Sequence, residues 1–340
     1  MKQKIRVGIV AAVAAALAVS APQGIAQAKA GAKGSAAATS AGEAYPTRPV
    51  RMIVASGAGG GLDFVARLVA PKMTEGLGQQ VVVDNRAGAS GSIAAELAAS
   101  ATPDGYTVLL LSASLVVYGI VNKTRYDLYR DFAPVSQVAA APYILTVNPS
   151  LPVSSVKELI AHAKKSPSKL NYASTGNASL AHLATELFAN KAGIQLVHVP
   201  YKGVGAALPD MLSGQIQLSL LSGGSVYSHV RSGKLKALAI ATRNRAKVAP
   251  QLPTMIEAGV PGFEVTQWHG LIAPRATPRA IIDRLYREVA AAVKQPDVAS
   301  RFAVDGTEGI GSSPAEFGAH LRNERDQWAK VAQIANIRTQ

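Results

Sequence analysis

Arg51-Met-Ile-Val-Ala-Ser-Gly-Ala-Gly-Gly-Gly-Leu-Asp-Phe-Val-Ala-Arg67 reads as an apolar strand that runs through a glycine cluster straight into a helix. With no side chains at Gly57, Gly59, Gly60 and Gly61, backbone N–H groups come close to a ligand. The helix opening near Leu62 aims the positive end of its dipole at the same spot. Such a turn is built for an anion. A second strand, polar turn and helix follows far downstream, at Leu170-Asn-Tyr-Ala-Ser-Thr-Gly-Asn-Ala-Ser-Leu-Ala-His182. Two such mouths in one chain imply a clamp.

The chain opens with Lys2, Lys4 and Arg6 before an uncharged apolar run over residues 7–19, and Ala26-Gln27-Ala28 offers small residues at a cleavage position. Residues 1–28 therefore read as a secretory leader that is removed, and in a Gram-negative cell the destination is the periplasm. The apolar run is too short to span a bilayer, and no later stretch reaches about 18 uninterrupted apolar residues. Cysteine is absent, so no disulfide staples the fold and no lipidated cysteine can anchor the mature protein. Residues 29–44, mostly Ala, Gly and Ser, cannot bury a core and read as a flexible linker.

The rest of the 340 residues is long enough for two domains of about 100–200 residues each. The formal charge is +14, of which the leader carries three units, so the mature chain stays basic. Nucleic acid is a poor partner for that excess: only 5% of residues are aromatic, and the lysines and arginines are scattered rather than gathered in a stripe. A field that favours small anionic ligands fits better.

From Tyr45 onward, strand-like runs alternate with helical patterns. Strands over 50–55, 81–84 and 107–112 are separated by helices over 62–73 and 91–99. The grammar repeats downstream, with helices over 154–165, 179–191 and 204–212 between strands over 170–173, 195–199, 215–221 and 235–241. The last helices, 278–294 and 314–335, each begin at a proline, where the missing N–H is harmless. Strands joined through helices imply crossovers and a mainly parallel sheet, in two α/β units.

Several chemistries find no support. Gly57-Ala58-Gly59 opens like a dinucleotide fingerprint, with Asp84 at the end of the next strand, but the third glycine position is Leu62. No Gly-Lys-Ser or Gly-Lys-Thr follows the glycines, and no Gly-x-Ser-x-Gly elbow occurs; Gly88-Ala89-Ser90-Gly91 only echoes one. His162, His182, His198, His229, His269 and His320 lack metal-ligand spacing, so no metal and no cofactor is expected. Asp63, just inside a helix start, offsets the dipole and caps free N–H groups, and His182 reads as a capping or packing residue.

The chain resembles the tripartite tricarboxylate transporter substrate-binding receptors, the Bug family of periplasmic solute receptors. The resemblance rests on Tyr45-Pro-Thr-Arg-Pro49, the turn ending Gly59-Gly-Gly-Leu-Asp63, Val81-Val-Val-Asp-Asn-Arg-Ala-Gly-Ala-Ser-Gly91 and Pro103-Asp-Gly-Tyr-Thr107. It continues through the 172–182 turn, His198-Val-Pro-Tyr-Lys-Gly203 and Trp268-His-Gly-Leu-Ile-Ala-Pro274. It implies a two-domain type II periplasmic-binding-protein fold, each domain a mainly parallel sheet flanked by helices, with the ligand cleft between them. Residues 45–141 and 269–340 would form domain 1 and residues 142–268 domain 2, with hinge segments near 138–146 and 264–271. Such a protein is not an enzyme. It binds a small organic carboxylate as a monomer and hands it to membrane permease subunits.

Carried over by position, the first ligand loop falls on Ser56, Gly57, Ala58, Gly59 and Gly60, with Asp63 beside it, and the second on Ser174, Thr175, Gly176, Asn177 and Ser179. Ser112 and Ser114 add side-chain contacts, while Tyr201, Lys202 and Gly203 edge the cleft; Ser90 and Ser92 are weaker candidates. The chain departs from the family pattern at Ser56 and Ala58, where an aromatic and a proline are common. It departs again at Ala178 and over Leu220-Leu-Ser-Gly-Gly-Ser225, so the usual ligand cannot be assumed. Two alternatives are a receptor that feeds a two-component sensor kinase and a secreted hydrolase.

Overall fold

The computed structural model describes residues 45–246, 249–304, 306–335 and 337; the expected leader (1–28) and linker (29–44) lie outside the described residues. The opening run becomes β1 (Val50–Val54), four of whose five residues are buried. It leads into α1 (Gly61–Leu77), which buries Leu62, Val65, Ala66, Val69 and Met73 along one helical face. Gly78 ends α1 in the left-handed region at φ 70, donating its N–H to the Thr74 carbonyl, a conformation that a side chain disfavours. β2 (Val81–Asn85), α2 (Ser92–Ala99), β3 (Thr107–Ser112) and α3 (Ala113–Val121) complete the first unit.

After the long β4 (Phe132–Val147) come α4 (Val156–Lys165), β5 (Asn171–Ser174), α5 (Leu180–Ala192), β6 (Val197–Pro200), α6 (Val204–Ser213), β7 (Leu218–Ser222), α7 (Gly223–Arg231) and β8 (Lys236–Ile240). The chain then returns through β9 (Thr266–Pro274), α8 (Arg279–Ala292), α9 (Pro296–Val304), β10 (Glu308–Gly309) and α10 (Pro314–Ile334). These last helices pack back on the first half, α8 against α1 and β4, and α10 against α3 and β4.

The strands lie in the order β2-β1-β3-β9-β4-β7-β5-β6, with β8 and β10 also paired to β4. Parallel pairing holds within each outer group, β2-β1-β3 and β7-β5-β6. The strands that join the groups run antiparallel to their neighbours, so the sheet is mixed. β4 serves both groups: it pairs with β9 from Phe132 to Pro142, then with β7 and β8 over its last residues, Tyr143 opposite Ser222. The extended segments expected near 138–146 and 264–271 therefore lie largely in β4 and β9, where Ala139 faces His269 and Pro142 faces Thr266.

Sequence periodicity gives no sign of α3 or α7. Ala113-Ser-Leu-Val-Val-Tyr-Gly-Ile-Val121 is apolar almost all round and β-branched, so it reads as more strand; it is helical because it is buried among helices. Gly223-Gly-Ser-Val-Tyr-Ser-His-Val-Arg231 begins with two glycines, which oppose helix formation in isolation, yet Val226 and Tyr227 pack it against the sheet.

At the centre, Trp268 on β9 and Trp328 on α10 are fully buried, and both indole N–H groups donate to Glu324 Oε2, at 2.7 and 3.0 Å. Phe317 meets the Trp268 ring edge-on at 5.7 Å between centroids. Gly270 lies beneath the Phe317 ring, and a Cβ there would enter it. Gly270→Ala is expected to lower stability by about 1–3 kcal/mol, the usual penalty for overpacking. A urea denaturation curve reads this as a lower midpoint with an unchanged slope.

Candidate functional site

In parallel α/β units, the carboxyl ends of the strands open onto helix starts. Here the ends of β1, β3 and β7 converge on one cleft of about 650 Å³. Its walls include the first turns of four helices: Gly60, Gly61 and Leu62 of α1, Ser112 and Ser114 of α3, Val204 and Gly205 of α6, and Ser222, Gly224 and Ser225 of α7. None of these four helices has a side-chain cap, whereas Ser155, Ser179 and Ser313 cap α4, α5 and α10. The helices α2 and α8 are uncapped too; what sets the four apart is that their free N–H groups meet around one space.

The floor comes from the joining strands. Their register sets Ser112 opposite His269, Ala141 opposite Gln267 and Tyr143 opposite Ser222, and all six residues line the cleft. Among the described residues, not one Lys, Arg, Asp or Glu does so. Its two titratable side chains are both neutral: burial lowers the His269 imidazole to about 4 and raises the Tyr143 phenol above its ordinary value. A negative charge in this space would therefore meet fixed dipole ends and hydroxyl groups in place of a cation.

Of the residues expected from sequence, Ser56, Gly59, Gly60, Ser112, Ser114 and Thr175 line the cleft together; Gly57, Ala58, Asp63, Ser174, Gly176, Asn177, Ser179, Tyr201, Lys202 and Gly203 do not. Asp63 is buried, and its Oδ2 accepts from Gly59 N at 2.8 Å and Arg67 Nε at 3.0 Å. Burial pushes its carboxyl up, but those hydrogen bonds outweigh it and hold the group below the ordinary carboxylate range. Asp63 thus fixes the glycine turn, with Gly59 at φ 80, by holding the residue before the N-cap rather than by capping a free N–H of α1. Asp84 is engaged by Arg51 and Arg86. Tyr201 donates its hydroxyl to Asp210 Oδ2 at 2.6 Å, and Lys202 and Asn177 are exposed.

The second loop is tied from below. His182 and His198 stack face to face, 3.8 Å between centroids, and Tyr172 lies against both, 5.0 Å from His198 and 6.4 Å from His182. Ala178 N donates to His182 Nδ1 at 3.1 Å, and Ser174 Oγ is 2.6 Å from His198 Nε2 while also bonded to the Gly176 backbone. This serine and histidine stand as close as a nucleophile and its base. Ser174 is 1% exposed, however, and its oxygen is already committed to the loop. Among the described residues, no group of three His, Asp or Glu side chains could hold a metal ion, and no helix is long and apolar enough to cross a membrane.

Tyr143, Ser222, Ser225, Gln267 and His269 escaped sequence reasoning. The signals were present: Gln267 and His269 fall in or beside the Trp268 to Pro274 motif, and Ser222 and Ser225 in a segment noted only as a departure from the family.

A mixed sheet with helix starts gathered on a cleft lined, among the described residues, by uncharged groups is an arrangement suited to a small solute. The family model for the tripartite tricarboxylate transporter family receptor matches residues 65–337, and the chain belongs to that family. It is 37% identical over 298 residues to the protein BugT of Bordetella pertussis, covering 87% of this chain and 91% of BugT. Among solved structures, Rpa4515 of R. palustris with adipate superposes with a TM-score of 0.78 at 36% identity, covering 86% of this chain and 99% of that one. MatC from Rhodopseudomonas palustris with bound malate gives 0.75 at 31% identity, covering 84% and 99%. The family is one of periplasmic solute receptors, not enzymes.

Burial holds both His182 and His198 near pKa 4, and for His182 the neighbouring His198 adds to the effect. In the unfolded chain a histidine takes up its proton near 6.5. The stability conferred by the neutral pair is therefore complete above about 6.5 and is lost as pH falls toward 4. His269 adds to the same window. The melting temperature should decline across that range, and a His182→Asn/His198→Asn variant should show a shallower decline. An unchanged slope would remove the stack from this role.

Proposed function

We propose that the chain is a periplasmic receptor that binds a small organic carboxylate between two domains and delivers it to membrane permease subunits of a tripartite tricarboxylate transporter. The observation that carries this reading is the convergence of four helix starts without side-chain caps on a cleft that, among the described residues, has no charged side chain. Free N–H groups at helix starts favour anions, and a carboxylate accepts several at once. Binding of adipate and malate by similar proteins supports the same ligand class here. A secretory leader over residues 1–28 would take the chain to the periplasm, where its relatives' kind works.

The domains in this reading are residues 45–141 with 269–340, and residues 142–268. The change of partner along β4 between Pro142 and Tyr143 supports the first boundary. The hydrogen bond from Val265 N–H to the Ala241 carbonyl, just before β9 begins, supports counting the segment before β9 with residues 142–268. Closure about β4 and β9 would bring Thr175 on one side toward Ser56 and Gly60 on the other. The receptor acts as a monomer, without cofactor and without catalysis.

Thermal-shift measurements with a library of carboxylates test the reading, since ligand at 100 times its Kd adds about 2.7 kcal/mol of stability. A carboxylate should raise the melting temperature and its amide or methyl ester should not; equal shifts would remove the anion argument. Thr175→Asp, which sets a negative charge at the cleft wall, should weaken carboxylate binding at least tenfold, and Thr175→Asn far less. Equal affinities in the two variants would place the ligand elsewhere.

A further inference from the structure

His269 sits on the cleft floor at 5% exposure, and its Nδ1 is buried with no hydrogen-bond partner. Buried polar nitrogens are almost always paired, because leaving one unpaired forfeits its hydration without return. The neighbouring polar groups do not relieve it. Tyr143 OH is 3.3 Å from Gln267 Oε1, so those two pair with each other, and the residues flanking His269 across the sheet are Ser112 on β3 and Ala139 on β4. Trp268 and Gly270, the next residues in the strand, turn the opposite way, toward Phe317 on α10. Strand geometry thus fixes the imidazole on the cleft side.

The groups around it are neutral and differ in kind from those on the walls. Helix starts supply N–H donors alone, which suit carboxylate oxygens. A hydroxyl can pair with a single nitrogen of a neutral imidazole in either tautomer, donating to the bare nitrogen or accepting from the N–H, whereas a carboxylate can only accept. A methylene at the same place would leave the nitrogen buried and unpaired.

We propose that His269 selects, among small carboxylates, those bearing a hydroxyl on the carbon chain, with the carboxylate held by the helix starts and the hydroxyl by the imidazole. This rests on the carboxylate-receptor reading above and adds a substituent to it. A site that hydrogen-bonds a ligand hydroxyl discriminates strongly against the analogue without one, more than a hydrophobic pocket discriminates a methylene.

Isothermal titration of the protein with matched acids tests it: succinate against malate, and glutarate against 2-hydroxyglutarate. In at least one pair the hydroxy acid should bind tenfold or more tightly, and in His269→Phe that ratio should collapse to below about threefold. Because Phe at a buried position could disturb the fold, His269→Gln, which keeps hydrogen-bonding capacity, provides a second variant and should retain part of the preference. Imidazole nitrogen chemical shifts provide a third readout, since His269 should respond to the hydroxy acid and not to its unsubstituted partner. Equal affinity within both pairs would overturn the role of His269 and leave the receptor reading standing. A ratio that survives His269→Phe would assign the preference to another residue. Failure of every carboxylate to bind, these four included, would overturn the receptor reading and this inference together.

Discussion

The antiparallel pairing of β4 with β9 is the constraint on which the rest depends. β3 ends against β9 and β7 ends against β4, so this one pairing decides where two carboxyl strand ends meet. A slip of one residue would send every side chain to the opposite face. Gln267 and His269 would then exchange places with Trp268 and Gly270, which belong under Phe317. The packing of Trp268, Phe317 and Trp328 around Glu324 therefore holds the register that builds the cleft floor. Core and site are two faces of the same strand.

The walls of the cleft were legible in the sequence because their chemistry is local. A strand, a polar or glycine turn and a helix follow one another over a few residues, so Ser56, Gly59, Gly60, Ser112, Ser114 and Thr175 could be found from neighbours alone. The floor was not legible. Tyr143 and Gln267 are over a hundred positions apart, and only sheet register brings them together. Their strands read as extended apolar connections, since most residues of β4 and β9 are buried on both faces and show little alternation. The parallel outer groups followed from strand and helix alternation, whereas the antiparallel centre arises where the chain returns without a crossover helix.

The second loop shows a different limit of sequence reasoning. Ser174, Gly176 and Ser179 have the residue types of a ligand loop, and the structure uses Ser174 and Ser179 to hold that loop's own backbone in place. Polar residues at a turn serve either the ligand or the turn, and composition does not distinguish the two. What decides is the pair of stacked histidines beneath, at positions 182 and 198, which draw the loop's inner face toward the core and leave Thr175 at the cleft.

The chain has a formal charge of +14, yet among the described residues its cleft has no charged side chain. These two facts divide the work of capture between distance and contact. A cationic exterior raises the rate at which small anions arrive, and added salt weakens that attraction. Once inside, the anion faces peptide dipoles that neither titrate nor reorient, and no ion pair has to be broken for it to leave. A cleft arranged in this way attracts small anions from a distance and holds them on contact without an ion pair.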